Sequence, residues 1–192
     1  MMKKIFSIAL TGLPCSGKSE IGKILEKRAG FVRIPSDSVR EKLFGDTHIK
    51  KINESQWKLV HVIYSVDRNA LLLQGKSVVT ESCPLDENLK RLTVYSSPYM
   101  KKFLKDKRLI LDRYLIELSI TKDEYRKRND MKGRTDKESK DIGKLIADNW
   151  ESAGKLSDDF GTVKVLRYPN NTMDDQKKIL EHLGKIIGKP LI

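Results

Sequence analysis

The stretch Gly12-Leu13-Pro14-Cys15-Ser16-Gly17-Lys18-Ser19 constrains the fold of this chain more than any other. It satisfies G-x-x-x-x-G-K-[ST] at every fixed position. An apolar run of the buried-strand type, Lys4–Thr11, precedes it, and Ile21, Ile24 and Leu25 follow at helical spacing before Gly30. In that setting glycines let the backbone approach an anion, while successive N–H groups and the helix N-terminus attract negative charge. Lys18 is placed to reach the β- and γ-phosphates of a nucleotide, and the Ser19 hydroxyl to ligate Mg²⁺. The binding segment runs from Gly12 through Ser19 to Glu20 in the first helical turn. Cys15 occupies a variable position, read as small filler; the sharper alternative is a thiol acidified by the helix N-terminus.

The rest of the chain repeats strand and helix. Phe31–Ile34 and Ser77–Thr80 read as short strands, Leu109–Ile120 as a longer one and Thr162–Leu166 as the last. Ser38 with Glu41 fits a capping box, as do Asn53 with Gln56 and Thr121 with Glu124. Helices are expected up to Leu43, from Asn53 to Gly75, over Asp86–Val94, from Pro98, over Lys122–Asn129 and from Thr172 to Ile187. Strands alternating with helices predict an α/β fold with a parallel sheet covered on both faces.

A length of 192 residues fits one domain, 1–192, with room for a core without staples. Two cysteines, Cys15 and Cys83, are too few for a disulfide framework and lack metal-site spacing. The start, Met1 to Ile5, runs into the glycine motif without a small-residue cleavage site, so a cytoplasmic location is expected. No apolar run is long enough for a membrane span. Net charge is +12, concentrated in residues 1–50 (+5) and 101–150 (+5). Such a field attracts polyanions, and a nucleic-acid partner is therefore kept open. His48, His61 and His182 are scattered; His61 is expected to pack along the helix face of Trp57 and Tyr64.

TGLPCSGKS on a first strand, then IPSDSVR after a second, resembles the small P-loop kinases. Within that group the chain is most similar to polynucleotide 5′-hydroxyl kinases and their relatives, the gluconate and seryl-tRNA kinases. The resemblance implies a three-layer P-loop fold with a five-stranded parallel sheet and a helical lid over residues 122–145. It implies Asp37 as general base for the acceptor hydroxyl and Arg40 as a holder of the acceptor. Residues three apart on a helix share a face, so both can enter one cleft. The alternatives are an N-terminal helix charge for Asp37 and a solvated position for Arg40. Glu81 comes directly after the third strand, where related enzymes organise magnesium through water, more often with Asp; a loop carboxylate without a role is the alternative. Glu124 to Asn129, with Lys132 and Arg134 beyond, is similar to an arginine-bearing lid. Arg128 and Arg126 are the candidates to neutralise charge during phosphoryl transfer.

The reaction expected is transfer of the γ-phosphate of ATP, with Mg²⁺, to a hydroxyl. A polynucleotide 5′-hydroxyl or other RNA hydroxyl fits the basic blocks and the Asp-x-x-Arg element. A small sugar, nucleoside or metabolite is the alternative acceptor. A nucleotide-dependent binding module without acceptor chemistry is the second alternative.

Overall fold

The computed structural model describes residues 2–45, 53–83, 98–131 and 162–192. Five strands form one sheet: β1 (Lys3–Gly12), β2 (Val32–Pro35), β3 (Val78–Glu81), β4 (Leu109–Ser119) and β5 (Lys164–Pro169). All neighbours are parallel and their order is β2-β3-β1-β4-β5. β1 sits in the centre because it can be buried on both faces, and Ile5–Thr11 are buried without interruption. The described helices are α1 (Lys18–Ala29), α2 (Ser36–Phe44), α3 (Glu54–Leu73), α4 (Pro98–Asp106), α5 (Lys122–Asp130) and α6 (Met173–Ile187).

Strand alternation divides the core between two layers. Phe6, Ile8 and Leu10 of β1 pack with Ile21 and Leu25 of α1 and with Ile179 and Leu183 of α6. Ile5 faces the other way, into Val60, Tyr64 and Leu72 of α3 and Met100 and Leu104 of α4. The chain leaves β1 for β2 on one side and later reaches β4 on the other. The reversal opens a crevice beyond the carboxyl end of β1, where ligands of open parallel sheets gather.

Three local expectations need correction. Ser38 and Glu41 form no capping box: α2 begins at Ser36 with Pro35 as N-cap and no side-chain cap. The reason is that β2 runs straight into the helix, Pro35 still pairing with Glu81. Thr121 does cap α5 by accepting from Glu124 N, but the Glu124 carboxylate turns to Arg128 at 2.7 Å instead of closing the box. β5 continues three residues past Leu166, since Arg167–Pro169 pair with Glu117–Ser119 of β4. The Asn53–Gln56 box is present. The expected helix over 86–94, His48, Lys132, Arg134 and the lid beyond residue 131 lie outside the described residues.

Candidate active site

Residues 12–17 form a tight loop between β1 and α1 because only glycine tolerates two of its positions. Gly12 has φ 137°, and a Cβ there would overlap the Leu118 carbonyl of the neighbouring strand. Gly17, the N-cap of α1, has φ 89° and touches the side chain of Asn170. Cys15 also takes a positive φ, 65°, unusual for a residue with a side chain. Its side chain is buried among Leu13, Ile120 and Tyr125, the filler role.

The loop carbonyls are held by donors. Lys18 Nζ donates to Gly12 O and Leu13 O, both at 2.7 Å, and lies 3.5 Å from Ser16 Oγ. Arg128 NH1 donates to Cys15 O at 3.2 Å, and Asn170 Nδ2 to Ser16 O at 2.7 Å. In a trans peptide the N–H points opposite to its C=O. Ser16 C=O, turned toward Asn170, therefore leaves Gly17 N–H turned the other way, toward the loop's anion-binding side, while Ser16 N–H donates within the loop to Leu13 O at 3.2 Å. Burial lowers the pKa of Lys18, opposed by the charges of Cys83, Glu81, Asp37 and Cys15. The ammonium thus stands among groups from the loop after β1, from α2, and from the end of β3 and the residues just beyond it.

Asp37 lies in the first turn of α2, and its Oδ1 is 3.0 Å from Arg40 NH2. The two do share a face. The carboxylate is exposed (71%), whereas the guanidinium is buried (5%) and stacks on the Trp57 ring at 5.3 Å. Arg40 Nε has no hydrogen-bond partner among the described residues. His61 lies between Trp57 and Tyr64, with ring centroids at 6.3 and 6.1 Å. Glu81 is buried at the end of β3, and both its oxygens pair with Arg33 of β2, Nε to Oε1 and NH2 to Oε2 at 3.1 Å. That pairing raises the pKa of Arg33. Gly22 of α1 lies directly above: a Cβ would overlap Glu81 Oε1.

The two arginines of α5 part company. Arg128 bonds Glu124, Cys15 O and, at 2.9 Å, Asn171 O, so it ties α5 to the loop and to the end of β5. Arg126 is 75% exposed on another face, 3.9 Å from Asp123. Ser19 and Glu20 are exposed at the start of α1. The sequence reading missed Asn170, Arg33 and Gly22. A β5 drawn three residues longer would have placed Asn170 at a strand's carboxyl end.

The basic surplus does not all surround this crevice. Lys105, Lys107 and Arg108 lie where α4 turns into β4, with Arg108 O accepting from Lys3 N at 3.0 Å. Lys3 opens β1 and Gly12 ends it, so this cluster stands about 30 Å from the loop. Lys3 and Lys107 there donate to Gly75 O and Leu73 O at the end of α3.

No protein-family pattern matches the chain, and no curated protein matches its sequence. Solved structures do match. A sugar kinase from Janibacter sp. HTCC2649 has a TM-score of 0.66 at 13% identity, covering 93% of this chain and 94% of its own. Shikimate kinase from Acinetobacter baumannii, in complex with shikimate, gives 0.54 at 16% identity over 96% and 94%. Shikimate kinase from Bacteroides thetaiotaomicron gives 0.50 at 14% over 98% and 99%. At these identities the likeness establishes the fold, that of small P-loop kinases.

Proposed function

We propose that this chain is an ATP- and magnesium-dependent kinase that phosphorylates a hydroxyl of a small molecule. The observation that carries the proposal is the convergence of two chemistries at one rim of the sheet: a phosphate loop with its lysine after β1, and an exposed carboxylate, Asp37, in the first turn after β2. In this reading Lys18 and the loop amides hold the triphosphate. Asp37 takes the proton of the acceptor hydroxyl. Arg40, whose NH2 lies 3.0 Å from Asp37 Oδ1, orients that carboxylate. Arg128, seated against the loop, places positive charge beside the phosphates.

Magnesium would neutralise charge on the β- and γ-phosphates. Ser19, exposed at the second position of α1, fits it as a hydroxyl ligand. Glu81 fits less directly, because Arg33 occupies both its oxygens. A small acceptor is favoured over a polynucleotide on two grounds. The basic cluster at the start of β4 lies at the far end of the sheet, where its Lys107 and the adjacent Lys3 donate to Leu73 O and Gly75 O. The structural neighbours are named as kinases of a sugar and of shikimate, both small molecules. A nucleotide-dependent binding module would need no exposed carboxylate beside the loop.

Asp37→Asn tests the assignment. It keeps shape but accepts no proton, so the single-turnover rate of phosphate transfer should fall about 10²–10⁴-fold. ATP affinity should change little. An unchanged transfer rate would return Asp37 to the role of a helix-end charge.

A further inference from the structure

We infer that Asn170 is a positioning residue for phosphate binding, acting through the peptide between Ser16 and Gly17. The inference rests on the phosphate-loop reading above and adds a residue from the opposite side of the sheet. Asn170 follows β5 and is 2% exposed. Its backbone N–H donates to Ser119 O at 2.9 Å, which continues the β4–β5 ladder one step beyond the strand. The side chain therefore projects from a rigid base. Its amide nitrogen lies 2.7 Å from Ser16 O. A carbonyl only accepts, so the NH₂ end must face it.

The consequence follows from peptide geometry. Ser16 C=O and Gly17 N–H belong to one planar unit and point in opposite directions. Fixing the carbonyl toward Asn170 fixes the amide toward the anion-binding side. Gly17 has φ 89° and forms the N-cap of α1 without a side-chain cap, so nothing in its own side chain holds this peptide. Rotation is resisted instead by Asn170, which packs so closely that a Cβ on Gly17 would overlap its Nδ2. The preceding peptide is pinned at both ends, Cys15 O by Arg128 NH1 and Ser16 N–H by Leu13 O, each at 3.2 Å. Asn171 then accepts from Thr121 N through its side chain at 2.8 Å and from Arg128 through its carbonyl at 2.9 Å. Asn170 thus belongs to a brace reaching from the end of β5 to the loop and to α5.

The test measures inorganic tripolyphosphate binding by calorimetry, which isolates the loop from any nucleoside contact. Asn170→Asp is isosteric but sets a carboxylate oxygen against Ser16 O. Its affinity should fall on the order of tenfold or more near about pH 8, since a buried acceptor loses its donor. Burial and the facing carbonyl raise the pKa of that new carboxyl. As pH falls toward about 5 it regains a proton and a donor, so the deficit relative to the unaltered chain should shrink. Equal affinity at both pH values would overturn the inference. So would a lower melting temperature with affinity retained, which describes a merely structural role. In the unaltered chain, the Asn170 side-chain amide protons should shift on adding tripolyphosphate in an NMR titration. Resonances unmoved at saturation would also overturn it, whether or not the variant folds. Failure of the unaltered chain to bind tripolyphosphate at all would overturn the phosphate-loop reading itself.

Discussion

Lys18 carries two roles that pull against each other. Its ammonium donates to Gly12 O and Leu13 O, yet burial lowers its pKa from the ordinary 10.5. An anion beside it favours the charged form. Triphosphate binding should therefore take up protons in the pH window between the lowered pKa and the value restored by the phosphates. Calorimetry in buffers of different ionisation enthalpy reads that uptake. Its absence in Lys18→Ala, together with loss of most ATP-dependent activity, is the expected result. Arg128 and Arg126 give a second contrast. Arg128→Ala removes donors from Cys15 O and Asn171 O and should weaken ATP binding roughly tenfold or more, as for a hydrogen bond from a charged group. Arg126→Ala, at a 75% exposed side chain, should leave ATP affinity within about twofold, because exposed charge pairs contribute little. Equal losses from both would contradict the placement of α5. Lys18 and Arg128 were legible in the sequence, one by motif and the other by charge in the segment that resembles a lid. Asn170 was not, because its role arises only where β5 meets a loop 154 residues earlier.

Helices and strands show why some boundaries could be read and others not. Asn53 with Gln56 and Thr172 with Asp175 are closed capping boxes, local devices whose partners are three residues apart. β5 could not be bounded that way, since Arg167–Pro169 are strand only because β4 pairs with them. The junction of α1, β2 and β3 is also tertiary. Glu81 and Arg33 form a two-bond ion pair under Gly22, and a methyl on Gly22 would overlap Glu81 Oε1. The carboxylate cannot withdraw without losing Arg33, and buried pairs are costly to break. Gly22→Ala should therefore destabilise the fold by at least about 1–3 kcal/mol. Urea denaturation measures it, and an unchanged midpoint would show that α1 does not press on this pair. A loss of magnesium affinity in a variant that still folds would instead support a metal-organising role for Glu81.

At the scale of the whole molecule, the order β2-β3-β1-β4-β5 fixes where chemistry can occur. It brings the loop after β1, the first turn of α2 and the ends of β3 and β5 to one rim. The parallel sheet covered by helices was legible in the alternation of strands and helices, and its five strands in the family resemblance. The strand order is set by tertiary pairing. The distribution of charge was not legible either. A net +12 says nothing of which end of the sheet carries it, and Lys105, Lys107 and Arg108 belong to the end away from the loop. Among the described residues, no helix is long and apolar enough to cross a membrane. A polynucleotide acceptor held by several lysines and arginines would lose affinity steeply with salt, at a log–log slope of about −0.7 per phosphate for single strands. A small uncharged acceptor has no such backbone to lose. The most direct measurement follows phosphate transfer from ATP to sugars, polyols and hydroxy acids, and in parallel to a 5′-hydroxyl oligonucleotide, between about 50 and 200 mM salt. The account predicts transfer that requires an added small hydroxyl compound and that varies little with salt. Transfer to the oligonucleotide alone with a steep salt slope, or ATP hydrolysis indifferent to every added hydroxyl, would contradict it.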